Sequence, residues 1–145
     1  MTVPEGYGPA LFFSDEGRLG RKGFWAFALT AVGFAILVLL VVGPRRMVLA
    51  HTLFGILMIY PSYCVFAKRL QDIEISGAWA ILIVGISAVD LVMGLTGFAS
   101  RPGFPMKLAQ VWMHVSNANL AVVTLALGIL PGTDGANRYG LQPGL

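Results

Sequence analysis

Four long apolar runs constrain the fold of this chain more than any other feature. They cover about residues 23–42, 47–67, 78–98 and 106–130, and each reaches roughly the 20 apolar residues that a helix needs to cross the hydrocarbon of a bilayer. Only 12% of the 145 residues are charged, whereas soluble domains carry roughly 25%. The sequence therefore predicts an all-α fold, a bundle of four transmembrane helices.

The segments around the runs define the remaining regions. We expect residues 1–22 to form a cytoplasmic or interfacial leader, and residues 131–145 to form a cytoplasmic tail rich in glycine and proline. Gly43-Pro44 ends the first run, because proline cannot continue a helix interior. Residues 99–105 have the composition of a loop. Residues 68–79, KRLQDIEISGAW, form a short charged hinge between the second and third runs.

The distribution of cations predicts the orientation of the chain in the membrane. If the N-terminus is inside, six of the ten Lys and Arg residues lie on the inner side and four on the outer side. The inner set is Arg18, Arg21, Lys22, Lys68, Arg69 and Arg138, and the outer set is Arg45, Arg46, Arg101 and Lys107. Because cytoplasmic loops carry the excess of cations, we expect both termini in the cytoplasm.

Small and polar residues form one stripe on the third run and another on the fourth. The predicted intramembrane polar seam consists of Ser87, Asp90, Gly94, Gln110, His114 and Asn117. Steps of three and four residues place each set on one helical face. An ionisable group at mid-span is costly and should face a partner inside the protein. Antiparallel pairing of the two helices predicts an Asp90–His114 contact, with Asn117 nearby.

This seam has more than one interpretation. Structural association of two helices is the leading one, because small residues let helices approach and polar residues bond across the gap. A path for protons or ions is the alternative. A metal site is disfavoured, because one histidine, one aspartate and amides are too few soft ligands. We expect no metal and no cofactor.

Three segments together resemble a known family. They are GRLGRKGFW at residues 17–25, KRLQD with the following Ser-Gly at residues 68–77, and PGT with the following NRYG at residues 131–140. In this order and spacing they resemble the bacterial inner-membrane proteins grouped as domain of unknown function 805. The resemblance covers about residues 12–143 and implies a small helical membrane protein with no assigned activity. Gln71, Gly23 and Ala78 depart from the family, which frequently has a histidine, an acid and a second tryptophan there.

The three segments share the predicted cytoplasmic face, where they form an ionic cluster. Its members are Arg18, Arg21, Lys22, Lys68, Arg69, Asp72, Glu74, Asp134 and Arg138. We expect Asp72 to pair with Arg21 or Arg69 and so to hold the leader and tail to the hinge. Residues 137–140 are expected to fold back onto this cluster as a turn. A structural lock is the leading interpretation, and docking of lipid headgroups or a partner protein is the alternative.

Recognisable catalytic motifs are absent from the sequence. It has no phosphate-binding loop, nucleotide fingerprint, zinc-protease motif or nucleophile elbow, and no basic run with interleaved aromatics for nucleic acid. We therefore expect a multi-pass, non-enzymatic protein of the bacterial inner membrane. It would serve as an accessory, scaffold or interaction subunit, with the lipid bilayer, other membrane proteins or further copies as partners. The alternative is transport of a small solute, proton or ion through the Asp90–His114 seam.

Overall fold

Helices make up the regular structure of the residues that the computed structural model describes, which are 10–42, 47–97, 103 and 105–143. They are α1 (Ala10–Phe13), α2 (Arg21–Val42), α3 (Met47–Asp72), a single 3-10 turn (Gly77–Trp79), α4 (Ala80–Leu95) and α5 (Met106–Ile129). Four helical segments are each long and apolar enough to cross a membrane, namely Arg21–Val42, Thr52–Asp72, Gly77–Leu95 and Met106–Ile129, and the third of them combines the 3-10 turn with α4. The prediction of an all-α fold with four membrane-crossing helices is confirmed.

Backbone groups outside the apolar runs fix where two of these helices begin. Gly20 precedes α2, and its carbonyl accepts a hydrogen bond of 3.0 Å from the amide of Phe24. Pro105 precedes α5, and its carbonyl accepts from the amide of Leu108 at 2.9 Å. Proline suits the start of a helix because its fixed φ is compatible with the helix and its missing N–H has no partner to lose there.

Helix α3 ends later than the sequence predicted. It continues through Lys68–Asp72, so only residues 73–76 connect it to the 3-10 turn, and the first half of the predicted hinge is helical. The helix ends in a Schellman motif, in which the amide of Ile75 donates to the carbonyl of Leu70 at 2.9 Å. Glu74 occupies the left-handed position of this motif, with a φ of 64°, where glycine is usual.

The apolar core lies at one end of the bundle, and α3 is its central helix, in contact with α1, α2 and α4. The buried core residues are Leu19, Phe24, Val65, Phe66, Ala67, Leu70, Ala80, Val84 and Leu127. The rings of Phe24 and Phe66 meet edge to face, with their centroids 5.6 Å apart. We call this end, formed by residues 15–24, 64–80 and 127–143, the charged end.

Close packing of α2 on α5 depends on a glycine. Trp25 lies against Gly128, and its indole Nε1 donates to the carbonyl of Gly128 at 3.1 Å. A Cβ atom at Gly128 would overlap the indole ring, so a larger residue there would displace Trp25. By contrast, a Cβ at Gly85 on α4 would meet open space.

We therefore expect Gly128→Ala to destabilise the protein by about 1–3 kcal/mol, the usual cost of overpacking. Gly85→Ala is the matched control and should leave the stability unchanged or slightly higher. Thermal unfolding in detergent, followed by tryptophan fluorescence, measures both. Equal Tm values for the two variants would show that the packing of Trp25 on α5 does not require glycine at Gly128.

Candidate functional site

Asp72 lies at the centre of a buried ionic cluster with Arg18 and Arg69, which we call the ionic lock. Arg18 Nη2 lies 2.9 Å from Asp72 Oδ1, and Arg18 Nε donates to the same oxygen at 3.0 Å. Arg69 Nη1 pairs with Asp72 Oδ2. The exposed fractions of Arg18, Arg69 and Asp72 are 7%, 0% and 2%. Burial of ionised groups is costly unless they are paired and hydrogen-bonded, so each partner depends on the others.

Two guanidinium groups on one carboxylate leave an excess of positive charge, which backbone carbonyls help to compensate. Arg69 Nε donates to the carbonyl of Leu127 at 2.8 Å, and Arg69 Nη2 donates to that of Leu130. Both carbonyls belong to the last turn of α5 or directly follow it. Because the C-terminal end of a helix carries partial negative charge and unpaired carbonyls, α5 stabilises the buried Arg69 cation.

The tail completes the ionic lock through Thr133. Arg18 Nη2 donates to the carbonyl and to the hydroxyl of Thr133, the latter at 3.1 Å. The amide and the hydroxyl of Thr133 both donate to the backbone carbonyl of Asp72 at 2.9 Å. A Cβ atom on Gly132 would overlap the Asp72 carboxylate, so this approach of the tail requires glycine.

The segment Asn137–Gly140 folds back as a turn onto the end of α3. The amides of Asn137 and Gly140 each donate to the carbonyl of the other at 3.0 Å. Asn137 Nδ2 then donates to the carbonyl of Gln71 at 3.0 Å. The predicted return of residues 137–140 to the charged end is confirmed.

The predicted ionic cluster divides into a buried part and an exposed part. The expected pairing of Asp72 with Arg69 is confirmed, whereas Arg21 is exposed and Arg18 is the second partner. Lys68 is also buried, with an exposed fraction of 4%. The other members, Arg21, Lys22, Glu74, Asp134 and Arg138, are exposed. Arg138 Nη2 donates to the backbone carbonyl of Glu74 at 2.6 Å rather than pairing with its carboxylate.

The residues of the predicted polar seam do not meet as expected. On α4, Ser87 and Asp90 are half-buried and Gly94 is exposed, whereas Gln110, His114 and Asn117 on α5 are all exposed. Among the described residues no hydrogen bond or ion pair joins Asp90 to His114, so the expected contact is not formed.

Among the described residues, a hydrogen bond between α4 and α5 comes instead from Asn119, whose Nδ2 donates to the carbonyl of Ile83 at 3.1 Å. Asn119 belongs to a face of α5 whose residues are buried or half-buried, together with Trp112, Ser116, Val123 and Leu127. Since 3.6 residues make one turn, this face lies about half a turn from Asn117. Two polar stripes of equal period exist on α5, and the spacing of residues does not reveal which one is inward.

The polar atoms of the ionic lock are used by the protein itself. Both carboxylate oxygens of Asp72 accept hydrogen bonds, and the nitrogens of both guanidinium groups donate within the chain. No described group of three or more His, Cys, Asp and Glu side chains is arranged to hold a metal ion. The geometry therefore fixes the leader, α3, α5 and the tail relative to one another.

Asp72→Asn should destabilise the protein by about 3–5 kcal/mol, because it leaves two buried guanidinium groups without a counter-charge. Asp134→Asn removes the same charge from an exposed position and should change the stability by no more than about 0.5 kcal/mol. Chemical or thermal unfolding in detergent distinguishes the two variants. Similar stabilities would contradict the role of Asp72 as the shared counter-ion.

Comparison with known proteins agrees with the resemblance found in the sequence. A family model described as "Protein of unknown function (DUF805)" matches residues 12–141. The chain is 33% identical over 135 residues to "Uncharacterized protein YiiR" of Escherichia coli K12, which covers 88% of this chain and 84% of that protein. The protein of the same name from Escherichia coli O157:H7 gives the same values. No solved structure matches. The match spans nearly the whole length, including the positions of every residue of the ionic lock, and this chain therefore belongs to the DUF805 family.

Proposed function

We propose that this protein is a non-catalytic interaction subunit of a bacterial inner-membrane complex. The observation that carries the proposal is an exposed polar stripe on α5, formed by Gln110, His114 and Asn117. Steps of four and three residues place the three side chains on one helical face. Hydrocarbon offers them no hydrogen-bond partner, whereas another transmembrane helix does. The stripe is therefore the surface on which a partner helix docks.

The same face of α5 shows how such a helix would fit. At the charged end Trp25 of α2 covers this face at Gly128. Ala121, between Gly128 and Asn117 on the same face, is small and exposed. Small residues let helix backbones approach closely, so a second helix would continue the contact that α2 begins.

The charged end is the part that we place at the cytoplasmic leaflet, with both termini inside. The excess of cations among the leader, the end of α3 and the tail supports this orientation. Arg21 and Lys22 are exposed there, at the first turn of α2, where anionic headgroups attract cations.

Photocrosslinking in native membranes tests the interaction role. A photoreactive residue introduced at Asn117 should give a protein adduct of one defined mass, because this position faces the partner helix. Val122 is the control, since it is also exposed on α5 but lies on another face. Lipid adducts alone at Asn117, or equal protein adducts at both positions, would contradict the proposal.

Passage of a proton or small solute between α4 and α5 is a second candidate function. It is supported by Ser87 Oγ and Trp112 Nε1, which are buried and have no hydrogen-bond partner among the described residues. Asp90 is half-buried one turn from Ser87. Under this hypothesis, proteoliposomes should show proton flux that Asp90→Asn abolishes. Flux equal to that of protein-free liposomes would exclude the proton path.

A further inference from the structure

An apolar cavity of about 480 Å³ lies between α1, α2 and α3. Its volume falls within the roughly 300–1,000 Å³ typical of small-molecule sites. Its lining includes Phe12 of α1, Ala26 and Thr30 of α2, and Phe54 of α3. The hydroxyl of Thr30 donates to the carbonyl of Ala26 at 2.7 Å, so this polar group is already bonded within the helix. The cavity therefore offers its occupant almost only apolar contacts.

The depth of the cavity corresponds to one leaflet of a bilayer. Along α2 the lining extends from Gly23 to Phe34, which spans about 16 Å at the helical rise of 1.5 Å per residue. The hydrocarbon core is about 30 Å thick, so the cavity covers about half of it. Phe12 and Phe27 lie near the charged end, with centroids 6.0 Å apart, and the stacked rings of Phe34 and Phe54 lie at the opposite end of the cavity, 5.5 Å apart.

The length and the lining of the cavity fit a lipid chain. An alkyl chain is apolar, and it lies parallel to α2 in the surrounding leaflet. It therefore matches the length and the chemistry of the lining.

Two cations lie in the first turn of α2, next to Gly23 of the cavity lining. Arg21 and Lys22 directly precede Gly23, are exposed, and form no ion pair with any described residue. Lys22 lies four residues before Ala26, so it lies on the helical face that lines the cavity. Cations at this level attract the negative charge of anionic lipids. The ionic lock leaves these two cations available, because Arg18 and Arg69 fill the positions around Asp72.

We propose that this cavity binds one acyl chain of an anionic phospholipid, whose phosphate lies at Arg21 and Lys22. The bound lipid occupies the α1–α2–α3 side of the protein. The polar stripe on α5 is a different surface, so the lipid site is independent of the proposed interaction role.

Native mass spectrometry tests the site on the full chain. The protein is reconstituted in vesicles of equal parts dioleoyl phosphatidylglycerol and dioleoyl phosphatidylethanolamine, then released from a mild detergent. We expect one retained lipid per chain, with phosphatidylglycerol enriched roughly 5- to 30-fold, the range that one or two cation contacts give. Absence of a retained lipid, or equal retention of the two lipids, would overturn the proposal.

Variants separate the two parts of the site. Ala26→Trp fills the cavity and should abolish retention, whereas Ala118→Trp adds the same side chain at an exposed position on α5 and should not. Arg21→Gln combined with Lys22→Gln alters only exposed groups, so it leaves the fold intact and should remove the preference for phosphatidylglycerol. An unchanged preference for phosphatidylglycerol in the double variant would contradict the assignment. So would a protein dimer, found in place of the bound lipid, that Ala26→Trp disrupts.

Discussion

A single buried carboxylate, shared by two guanidinium groups, imposes the main constraint on this fold. In a medium of low dielectric constant an unpaired charge is very costly, so Asp72, Arg18 and Arg69 must be brought together or not buried at all. Arg18 lies in the leader, far along the chain from Asp72 and Arg69, which both lie at the end of α3. The carbonyl of Leu127 in α5 accepts from Arg69 and the carbonyl of Thr133 in the tail accepts from Arg18, which completes the set. Charge pairing thus explains why segments outside the membrane-crossing helices have defined positions.

The charged end and the rest of the bundle differ in how many of their side chains are buried within the protein. At the charged end the core and the ionic lock bury most of their groups. Along α2 and α5, by contrast, apolar side chains such as Leu40 and Val122 are exposed, and Asn117 is exposed among them. Under the two proposals, this surface is completed by lipid and by a partner helix. The proposed docking stripe and the proposed lipid cavity are two parts of that surface.

The sequence allowed the elements to be predicted, but not their rotation or all of their contacts. Hydrophobic length alone identifies the four membrane-crossing helices, because the thickness of the bilayer sets it. The length of the apolar runs does not reveal that Lys68–Asp72 is helical. A group of charged residues normally indicates a loop, and the sequence does not show that these residues have buried partners. On α5 the stripes containing Asn117 and Asn119 have the same period, and only packing against α4 selects Asn119. The sequence predicts Arg18 as a member of the ionic cluster. It does not reveal that Arg18 pairs with Asp72, because this contact depends on the path of the leader.

Amide hydrogen exchange of the intact protein in lipid nanodiscs tests the central claim most directly, namely that the ionic lock holds the tail on α3. The amide of Thr133 donates to the carbonyl of Asp72, and the amide of Gly140 closes the turn that rests on Gln71. The account predicts that peptides covering residues 131–140 exchange far more slowly than an unstructured chain. Exchange of this segment at the unstructured rate, while α3 remains protected, would contradict it.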